Sequence, residues 1–454
     1  MSLRDRLAAT QVAVIGNSIA DLRVSQPAAV ARIQPELKQR VHQTLLDRID
    51  LARLQRLSAD RVAEEVRVQV GAILDEEEVV LNDIERRHLV TDIQNEMLGF
   101  GPLEGLLADQ TVADILVNGC DSVFVERQGR LERSPVRFDS DEHLMKIIEK
   151  IASRVGRRVD ESSPMVDARL PDGSRVNAVI PPLALDGPIL SIRKFARIPL
   201  RMEDLVRFKS IPEPMSRLLH AMVGGKLNVI VSGGTGSGKT TLLNILSSYI
   251  SDRERIITIE DAAELQLQQS HVVRLETRPP NMEGRGEITQ RALVRNALRM
   301  RPDRTILGEV RGAEVIDMLQ AMNTGHDGSI ATIHANTPRD ALTRVEAMLS
   351  MSDAGVPAKA MRQQIASAIS IIVQVNRLSD GKRKVMSVQE ITGLEGDTIG
   401  MHEIWGYRQT GVSPDGQVQG YFSATGIRPR FLEKVVNAGF ALPDDLFDPS
   451  RRFS

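Results

Sequence analysis

Hydrophobic and polar positions follow three different patterns along the chain, and the first of them is helical. From Ile33 to about Met97, apolar residues recur every three or four positions with charges between them. This spacing predicts two or three amphipathic helices. Acidic residues interrupt the polar faces, which favours a bundle that covers a neighbouring domain over a helix lying on a membrane surface. We therefore expect residues 1–98 to form an N-terminal helical segment.

The second pattern is one of short alternating strands, and it begins after the helix-breaking run from Gly99 to Pro102. One hairpin is predicted around Gln128 and Gly129, and another around the turn Pro171-Asp172-Gly173. A helix is predicted between them, from about residue 141 to 155. These elements indicate a small α+β domain over residues 99–196, followed by a linker over residues 197–210.

The third pattern is a series of short apolar strands that alternate with helical segments. Five strands are predicted, at 227–232, 255–260, 305–309, 329–334 and 371–375. Strands separated by helices argue for a parallel sheet with right-handed crossovers. The fold class is therefore α/β for residues 211–454, although the stretch from Gly396 onward carries little signal.

Composition narrows the class of protein. The 454 residues include 58 Lys and Arg against 60 Asp and Glu, a formal charge of -2, and only 3% aromatic residues. This balance disfavours a nucleic-acid partner, which needs a basic stripe or stacking aromatics. Cys120 is the only cysteine, so no intrachain disulfide or four-cysteine zinc site can form. We expect a cytoplasmic protein, because we find neither an export signal nor a transmembrane segment.

The strongest chemical signal is a phosphate-binding loop between the first predicted strand and a helix at 241–249. The loop satisfies the pattern G-x-x-x-x-G-K-[ST]. Its backbone N–H groups can surround phosphates, Lys239 can reach the β and γ oxygens, and the Thr240 hydroxyl can ligate Mg²⁺. The pattern therefore predicts binding of ATP with Mg²⁺ by Gly233, Gly234, Thr235, Gly236, Ser237, Gly238, Lys239, Thr240 and Thr241.

Two later strand ends carry carboxylates, and the carboxyl edge of a parallel sheet is where ligands bind. Glu260 is expected to orient a water or to bridge to Mg²⁺, whereas Asp261 and Glu264 fit either this site or the first turn of a helix. Gly308 stands where a metal-binding Asp is usual, which leaves Glu309 to polarise the attacking water and to contact Mg²⁺ through water. A buried glutamate without a charge partner would be costly, which argues against a structural role for Glu309.

Histidines and arginines complete the predicted site. His334, just past the fourth strand, is expected to sense the γ-phosphate, and His326 is a weaker candidate because lone histidines are more often structural. Arg169 and Arg175 flank the second hairpin turn and could act on a neighbouring subunit's nucleotide. Five further arginines are candidates for the same kind of role, with solvated surface ion pairs as the alternative: Arg193, Arg278, Arg295, Arg299 and Arg311.

The order of these motifs resembles the secretion ATPases of the type II/type IV secretion superfamily over roughly residues 80–390. The segment from Glu260 to Leu265 lacks a proline that type IV pilus motors usually carry. Three more segments, 274–279, 285–288 and 334–339, look like the CpaF/TadA class that powers tight-adherence (Flp) pili. The single cysteine excludes the tetracysteine element of type II secretion ATPases.

The resemblance implies a RecA-like ATPase domain in a homohexameric ring, in which Gly308 in place of Asp is normal. It further implies that the small domain of one subunit covers the nucleotide of its neighbour and rotates about the linker. That motion would drive inner-membrane pilus platform proteins from a cytoplasmic, peripherally associated position. Two other functions stay open: a DNA-translocating or conjugative secretion ATPase, and a nucleotide-gated scaffold without turnover, which Glu309 argues against.

Overall fold

The computed structural model describes residues 35–49, 59–127, 129–195, 200–280, 285–352 and 357–454. The predictions for residues 1–34, for Gln128 and for 197–199 lie outside these ranges. By its internal contacts the chain separates into two units, one ending at Lys194 and the other beginning at Phe195. The division into three domains stays a prediction.

The first unit begins with three helices, α1 (Pro35–Arg48), α2 (Ala59–Glu76) and α3 (Asp83–Leu98). Their apolar stripes share a buried core that includes Val41, Leu45, Val66 and Ile93. Helix α3 starts where the Asn82 side chain accepts hydrogen bonds from the backbone N–H groups of residues 84 and 85. The predicted amphipathic helices are confirmed for the described residues.

The rest of this unit is an α+β arrangement. After a short helix α4 (Glu104–Ala108) come β1 (Val112–Asn118), β2 (Val123–Arg127), β3 (Arg130–Arg133), helix α5 (Asp141–Arg154), β4 (Met165–Arg169), β5 (Arg175–Val179) and β6 (Ile189–Arg193). The strands form an antiparallel sheet in the order β3-β2-β1-β6-β5-β4. Both predicted hairpins and the helix between them are present. Strand β1, which sequence patterns did not indicate, pairs with β6 at the centre.

A buried carboxylate joins the helices to this sheet layer. Glu96 on α3 accepts a hydrogen bond from Lys38 Nζ at 2.6 Å, and its other oxygen lies 2.9 Å from His143 Nε2 on α5. Lys150, also on α5, donates to the Glu96 carbonyl at 2.9 Å. Burial opposes ionisation of Glu96, but the bonds from His143 and Lys38 outweigh it and lower its pKa to about 2.

The second unit is built on one large sheet. Its strands are β7 (Val229–Gly233), β8 (Ile256–Glu260), β9 (Val272–Glu276), β10 (Arg304–Val310), β11 (Ile330–His334), β12 (Ile371–Arg377), β13 (Arg383–Glu395), β14 (Thr398–Val412) and β15 (Val418–Ala424). The order is β15-β14-β13-β12-β7-β11-β10-β8-β9. All neighbours from β12 to β9 are parallel, as predicted, and one strand separates β7 from β10. This is the RecA-like arrangement.

Helices cover both faces of the parallel strands. They are α6 (Met202–Arg207), α7 (Glu213–Gly224), α8 (Lys239–Ser247), α9 (Gln290–Ala297), α10 (Glu314–Asn323), α11 (Pro338–Ser350), α12 (Ala358–Ala368) and α13 (Leu432–Asn437). Helix α6 lies inside the predicted 197–210 linker, and its Met202 is buried in the core of this unit. The described part of that segment is therefore structured and packed.

The antiparallel strands β13 to β15 extend the sheet at one edge, and the sequence pattern did not predict them. Trp405 on β14 is 1% exposed and belongs to the larger apolar core. None of the helices in the described ranges has the length and apolar character that a membrane crossing requires.

Candidate nucleotide-binding and hydrolysis site

The predicted phosphate-binding loop connects the buried strand β7 to helix α8. Gly236 and Gly238 have φ angles of +67° and +96°, a region that side chains disfavour. A Cβ atom on Gly233 would lie 2.3 Å from the carbonyl oxygen of Val375. The path of the backbone and the close approach of Val375 therefore require glycine at these three positions. Helix α8 begins at Lys239, so Thr240 and Thr241 lie in its first turn.

Lys239 begins helix α8 and folds back over the loop. Its Nζ donates to the Gly234 carbonyl at 2.9 Å. Burial lowers the pKa of Lys239, while the nearby Glu309 carboxylate raises it. The ammonium group thus lies inside the loop that it is predicted to serve.

Glu309 lies near the end of β10, with Arg311 on one side and His334 on the other. Arg311 Nη2 donates to Glu309 Oε2 at 2.6 Å, and His334 Nδ1 lies 3.9 Å from Oε1. Burial opposes ionisation, but the bond from Arg311 and the charges of Arg311, Lys239 and His334 outweigh it, so the pKa of Glu309 falls below its ordinary value. Glu309 therefore has a charge partner in Arg311, which follows it by two positions and lies on the same side of the chain, so the cost of an unpartnered buried carboxylate does not arise here.

His334 links the loop to this carboxylate. Its Nε2 atom lies 3.3 Å from Thr235 Oγ1, and its other ring nitrogen faces Glu309. Burial and then the charge of Lys239 lower the pKa of His334 below 6.5, which leaves the ring neutral at pH 7. A neutral imidazole at this position can exchange a proton or a hydrogen bond with groups on the loop.

Glu260 ends strand β8 and is 2% exposed. Its Oε2 atom accepts hydrogen bonds from the backbone N–H groups of Glu264 and Leu265, at 2.7 and 2.9 Å. Burial raises its pKa, partly offset by those two bonds. A Cβ atom on Gly308 would lie 2.9 Å from Glu260 Cγ. The side chain of Glu260 therefore occupies the space where the usual Asp would begin, which explains glycine at 308.

No helix begins at Asp261. Residues 261–271 are irregular, so the alternative in which Asp261 and Glu264 open a helix is wrong. Asp261 instead lies 3.7 Å from Arg311 Nη1. Arg311, Arg278 and Asp261 together line a cleft of about 480 Å³ beside the end of β10.

Three other candidates lie away from this edge of the sheet. His326 precedes β11 and therefore lies at the amino edge, one strand length from His334. Arg295 lies in helix α9, and Arg299 lies in the turn that ends it. This turn reaches the same amino edge, because the Met300 carbonyl accepts a hydrogen bond from Arg255, the residue just before β8. Arg295 lies 3.7 Å from Asp317 on helix α10. The prediction that Arg295 and Arg299 lie at the carboxyl ends of the strands was wrong, because helix α9 runs antiparallel to the strands.

Arg169, Arg175 and Arg193 lie in the first unit, side by side across three strands. Arg169 pairs in register with Arg175, and Arg175 with Arg193. Register partners point to the same face, so the sheet presents a row of three guanidinium groups. Arg193 Nε also lies 3.5 Å from Asp114. Their action on a nucleotide stays a prediction.

Sequence reasoning missed two arginines that contact the loop. Arg383 Nε donates to the Gly236 carbonyl at 2.9 Å, and Arg377 is its register partner on β12. No motif could have found them, since Gly236 and Arg383 are separated by 147 positions. The one feature of the sequence that bears on them is the strand predicted at 371–375, which Arg377 follows by two residues.

The residues present fit a nucleotide with Mg²⁺. Within the described ranges, no group of three His, Cys, Asp or Glu side chains could hold a metal ion by itself. Thr240 supplies a half-buried hydroxyl next to Lys239 in the chain, and Glu309 supplies a carboxylate whose charge raises the pKa of Lys239. Mg²⁺ keeps several waters and takes oxygens from substrate phosphates, so this sparse donor set suits it.

The RecA-like sheet, the loop and the carboxylate cluster together define a P-loop ATPase. The chain belongs to the family described as "Type II/IV secretion system protein", whose model matches residues 96–410, and it is an ATP-hydrolysing enzyme.

Curated relatives cover most of the chain. A putative conjugal transfer protein of Mycobacterium tuberculosis is 38% identical over 342 residues, which is 74% of this chain and 96% of that protein. The conjugal transfer protein TrbB of Rhizobium radiobacter is 31% identical, over 64% of this chain and 86% of its own length. The type IV secretion system protein PtlH of Bordetella pertussis is 34% identical, over 63% and 93%.

Among solved structures, the VirB11 ATPase of Brucella suis is similar at 28% identity, with a TM-score of 0.35, over 63% of this chain and 94% of that one. The pilus retraction motor PilT matches at 21% identity and a TM-score of 0.46, over 63% and 80%.

Proposed function

We propose that this enzyme is the hexameric motor of a tight-adherence (Flp) pilus, and that it hydrolyses ATP to drive inner-membrane platform proteins. The observation that supports hydrolysis is Glu309, which is ionised beside the phosphate-binding loop and connected to it through His334. The pilus assignment is supported by the segments at 260–265, 274–279, 285–288 and 334–339. The protein would work at the cytoplasmic face of the membrane, peripherally attached.

In this proposal the loop holds the phosphates through its backbone N–H groups and the positive end of helix α8. Thr240 would hold Mg²⁺, with Glu309 reaching it through water, and the ion would supply positive charge that offsets the charge of the phosphates. Lys239 exchanges its bond to the Gly234 carbonyl for phosphate oxygens. Both partners are within the loop, so this exchange needs only a side-chain rotation.

Glu309 then polarises the water that attacks the γ-phosphorus. Its low pKa keeps the carboxylate ionised at neutral pH, so it can accept a hydrogen bond from that water. His334, neutral and next to Thr235, is placed to contact the γ-phosphate. Glu260 would act one strand further along, on a second water or on Mg²⁺ through water.

The row formed by Arg169, Arg175 and Arg193 would serve the neighbouring subunit's nucleotide. Guanidinium groups bind phosphate oxygens through planar, charge-assisted hydrogen bonds, which is the chemistry that this role needs. An arginine supplied across an interface contributes about 10³ to 10⁵ in rate in other phosphoryl-transfer enzymes. Mixing Arg175→Ala with Glu309→Gln subunits at equal ratio should restore activity at about a quarter of the interfaces. Absence of rescue at every ratio would refute action in trans.

A conjugative or type IV secretion ATPase is the second candidate, and one observation favours it. The relatives named above are conjugal transfer and type IV secretion proteins. The net charge of this chain is close to zero, which disfavours direct binding to the phosphate backbone of DNA.

Deleting the gene in the source organism and complementing it with wild type or Glu309→Gln distinguishes the two functions. We expect surface fibres to disappear in the deletion and to return only with wild type. Plasmid transfer and protein export should be unchanged. Normal fibres with loss of DNA transfer or protein export would replace the pilus function with the second candidate.

A further inference from the structure

Two arginines reach the phosphate-binding loop from strands β12 and β13, on the side of β7 that carries no predicted catalytic residue. Strand β12 pairs with β7 as far as Val375, opposite Gly233. It then continues for two residues, whereas β7 has already turned into the loop. Arg377 therefore lies beside the loop. A tight turn at 378–382 follows, and Arg383 begins the next strand, β13, opposite Arg377.

The contacts place both side chains against the middle of the loop. Arg383 Nε donates to the Gly236 carbonyl at 2.9 Å, and its Cδ lies 3.4 Å from the point where a Cβ of Gly238 would stand. Arg377 Nη1 lies 3.6 Å from the corresponding point of Gly236. Both glycines have positive φ, so the arginines cover the part of the loop whose backbone turns around the phosphates.

The sheet order says which part of a nucleotide lies there. Strand β7 lies between β12 on one side and β11 and β10 on the other. His334 and Glu309 are on β11 and β10, so in the proposed site the γ-phosphate would point to that side. A phosphate chain held across the loop in that direction would place its α-phosphate toward β12, where Arg377 and Arg383 lie.

We propose that Arg377 and Arg383 bind the α-phosphate of the nucleotide held by their own subunit. This inference rests on the proposed nucleotide site. Arginine binds phosphate through planar, charge-assisted hydrogen bonds, and both guanidinium groups lie against the loop that would hold the phosphates. The two arginines would bind a phosphate that ATP and ADP share. They would therefore raise the affinity of the enzyme for both nucleotides, before and after hydrolysis.

The test is nucleotide affinity of the full-length protein, measured separately for ATP in a Glu309→Gln background and for ADP. We expect Arg377→Gln to weaken both by about tenfold, and the variant with Arg383→Gln added by about a hundredfold, with their ratio unchanged. Arg377→Gln leaves the bond between Arg383 and Gly236 in place, so its effect does not report a collapsed loop. The dependence of ADP affinity on salt should also become shallower.

Lys382→Gln is the matched control, because this cation lies in the same turn but donates to Gln417 Oε1 at 2.6 Å. It should bind both nucleotides as wild type does. Trp405 fluorescence during urea unfolding verifies that each variant is folded, since this is the only tryptophan and it is buried in the same unit.

The outcomes separate the two levels of the proposal. If wild type binds neither nucleotide, the nucleotide site itself fails. If Lys239→Ala abolishes binding while Arg377→Gln and the double variant bind normally, only the arginine assignment is overturned. A loss confined to ATP would place the arginines at the γ-phosphate, and a lower kcat at unchanged affinity would also overturn the inference.

Discussion

Replacing Gly308 by alanine tests why this site lacks the usual aspartate. The added Cβ would lie 2.9 Å from Cγ and 3.5 Å from Cβ of Glu260. Carbon atoms prefer separations of about 3.5–4.0 Å, so the first contact is too close by about 0.6 Å. Glu260 cannot rotate away freely, because it is buried and its carboxylate is bound to the N–H groups of residues 264 and 265.

The expected penalty follows from these contacts. Overpacking a closely packed interior costs about 1–3 kcal/mol. Alanine restricts the unfolded chain more than glycine does, which stabilises the folded protein by about 0.4–1 kcal/mol where the backbone conformation suits alanine. The φ angle of Gly308 lies outside the left-handed region, so the backbone adds no strain. We expect a net loss of about 1–2 kcal/mol in the free energy of unfolding of the second unit.

Urea unfolding followed by Trp405 fluorescence measures this loss, because the signal comes from the unit that contains Gly308. Gly411→Ala is the matched control, since a Cβ there meets no atom within 4 Å. The penalty should vanish in a Glu260→Ala background, which gives a coupling energy of about 1–2 kcal/mol. A Gly308→Ala protein as stable as wild type, or an equal penalty with and without Glu260, would refute the reasoning.

Three further predictions concern charged groups. Arg311→Gln removes the bond that offsets burial of Glu309, so the pKa of Glu309 should rise and the acidic limb of kcat should move to higher pH; a limb that stays in place contradicts this. Glu96 has a folded pKa of about 2 against 4.5, so its contribution of about 3 kcal/mol is present above pH 4.5 and disappears as pH falls toward 2. Glu96→Gln should therefore flatten acid unfolding of the first unit, measured by circular dichroism. Arg304 is fully buried and donates hydrogen bonds to Glu254 and to two backbone carbonyls. Arg304→Met should therefore lower the free energy of unfolding of the second unit by about 3–5 kcal/mol, measured by Trp405 fluorescence during urea unfolding.

The loop and its flanking elements could be predicted because their signal is contiguous. Gly233 to Thr240 needs no information from elsewhere in the chain, and a buried apolar run before it identifies the strand. Glu309 and His334 could also be predicted, since residues at the carboxyl ends of parallel strands meet at one edge. Arg311 could have been recognised as the partner of Glu309 from their spacing alone.

Other features depend on information that spacing does not carry. His326 and His334 bracket one short strand, so they lie at opposite edges of the sheet, and spacing alone does not say which of them reaches the phosphate-binding loop. The contact between Arg383 and Gly236 depends on the order of strands in the sheet and on a hairpin register. The role of Gly308 depends on the conformation of a side chain from another strand, Glu260.

The most direct measurement of the central claim is single-turnover ATP hydrolysis by Glu309→Gln, with ATP affinity measured on the same preparation. The substitution keeps size and removes the charge that polarises the attacking water. We predict ATP affinity close to that of wild type and a hydrolysis rate lowered by about 10² to 10⁴. Lys239→Ala should lose binding instead. A Glu309→Gln enzyme that binds ATP and turns it over at a near-normal rate would contradict the account.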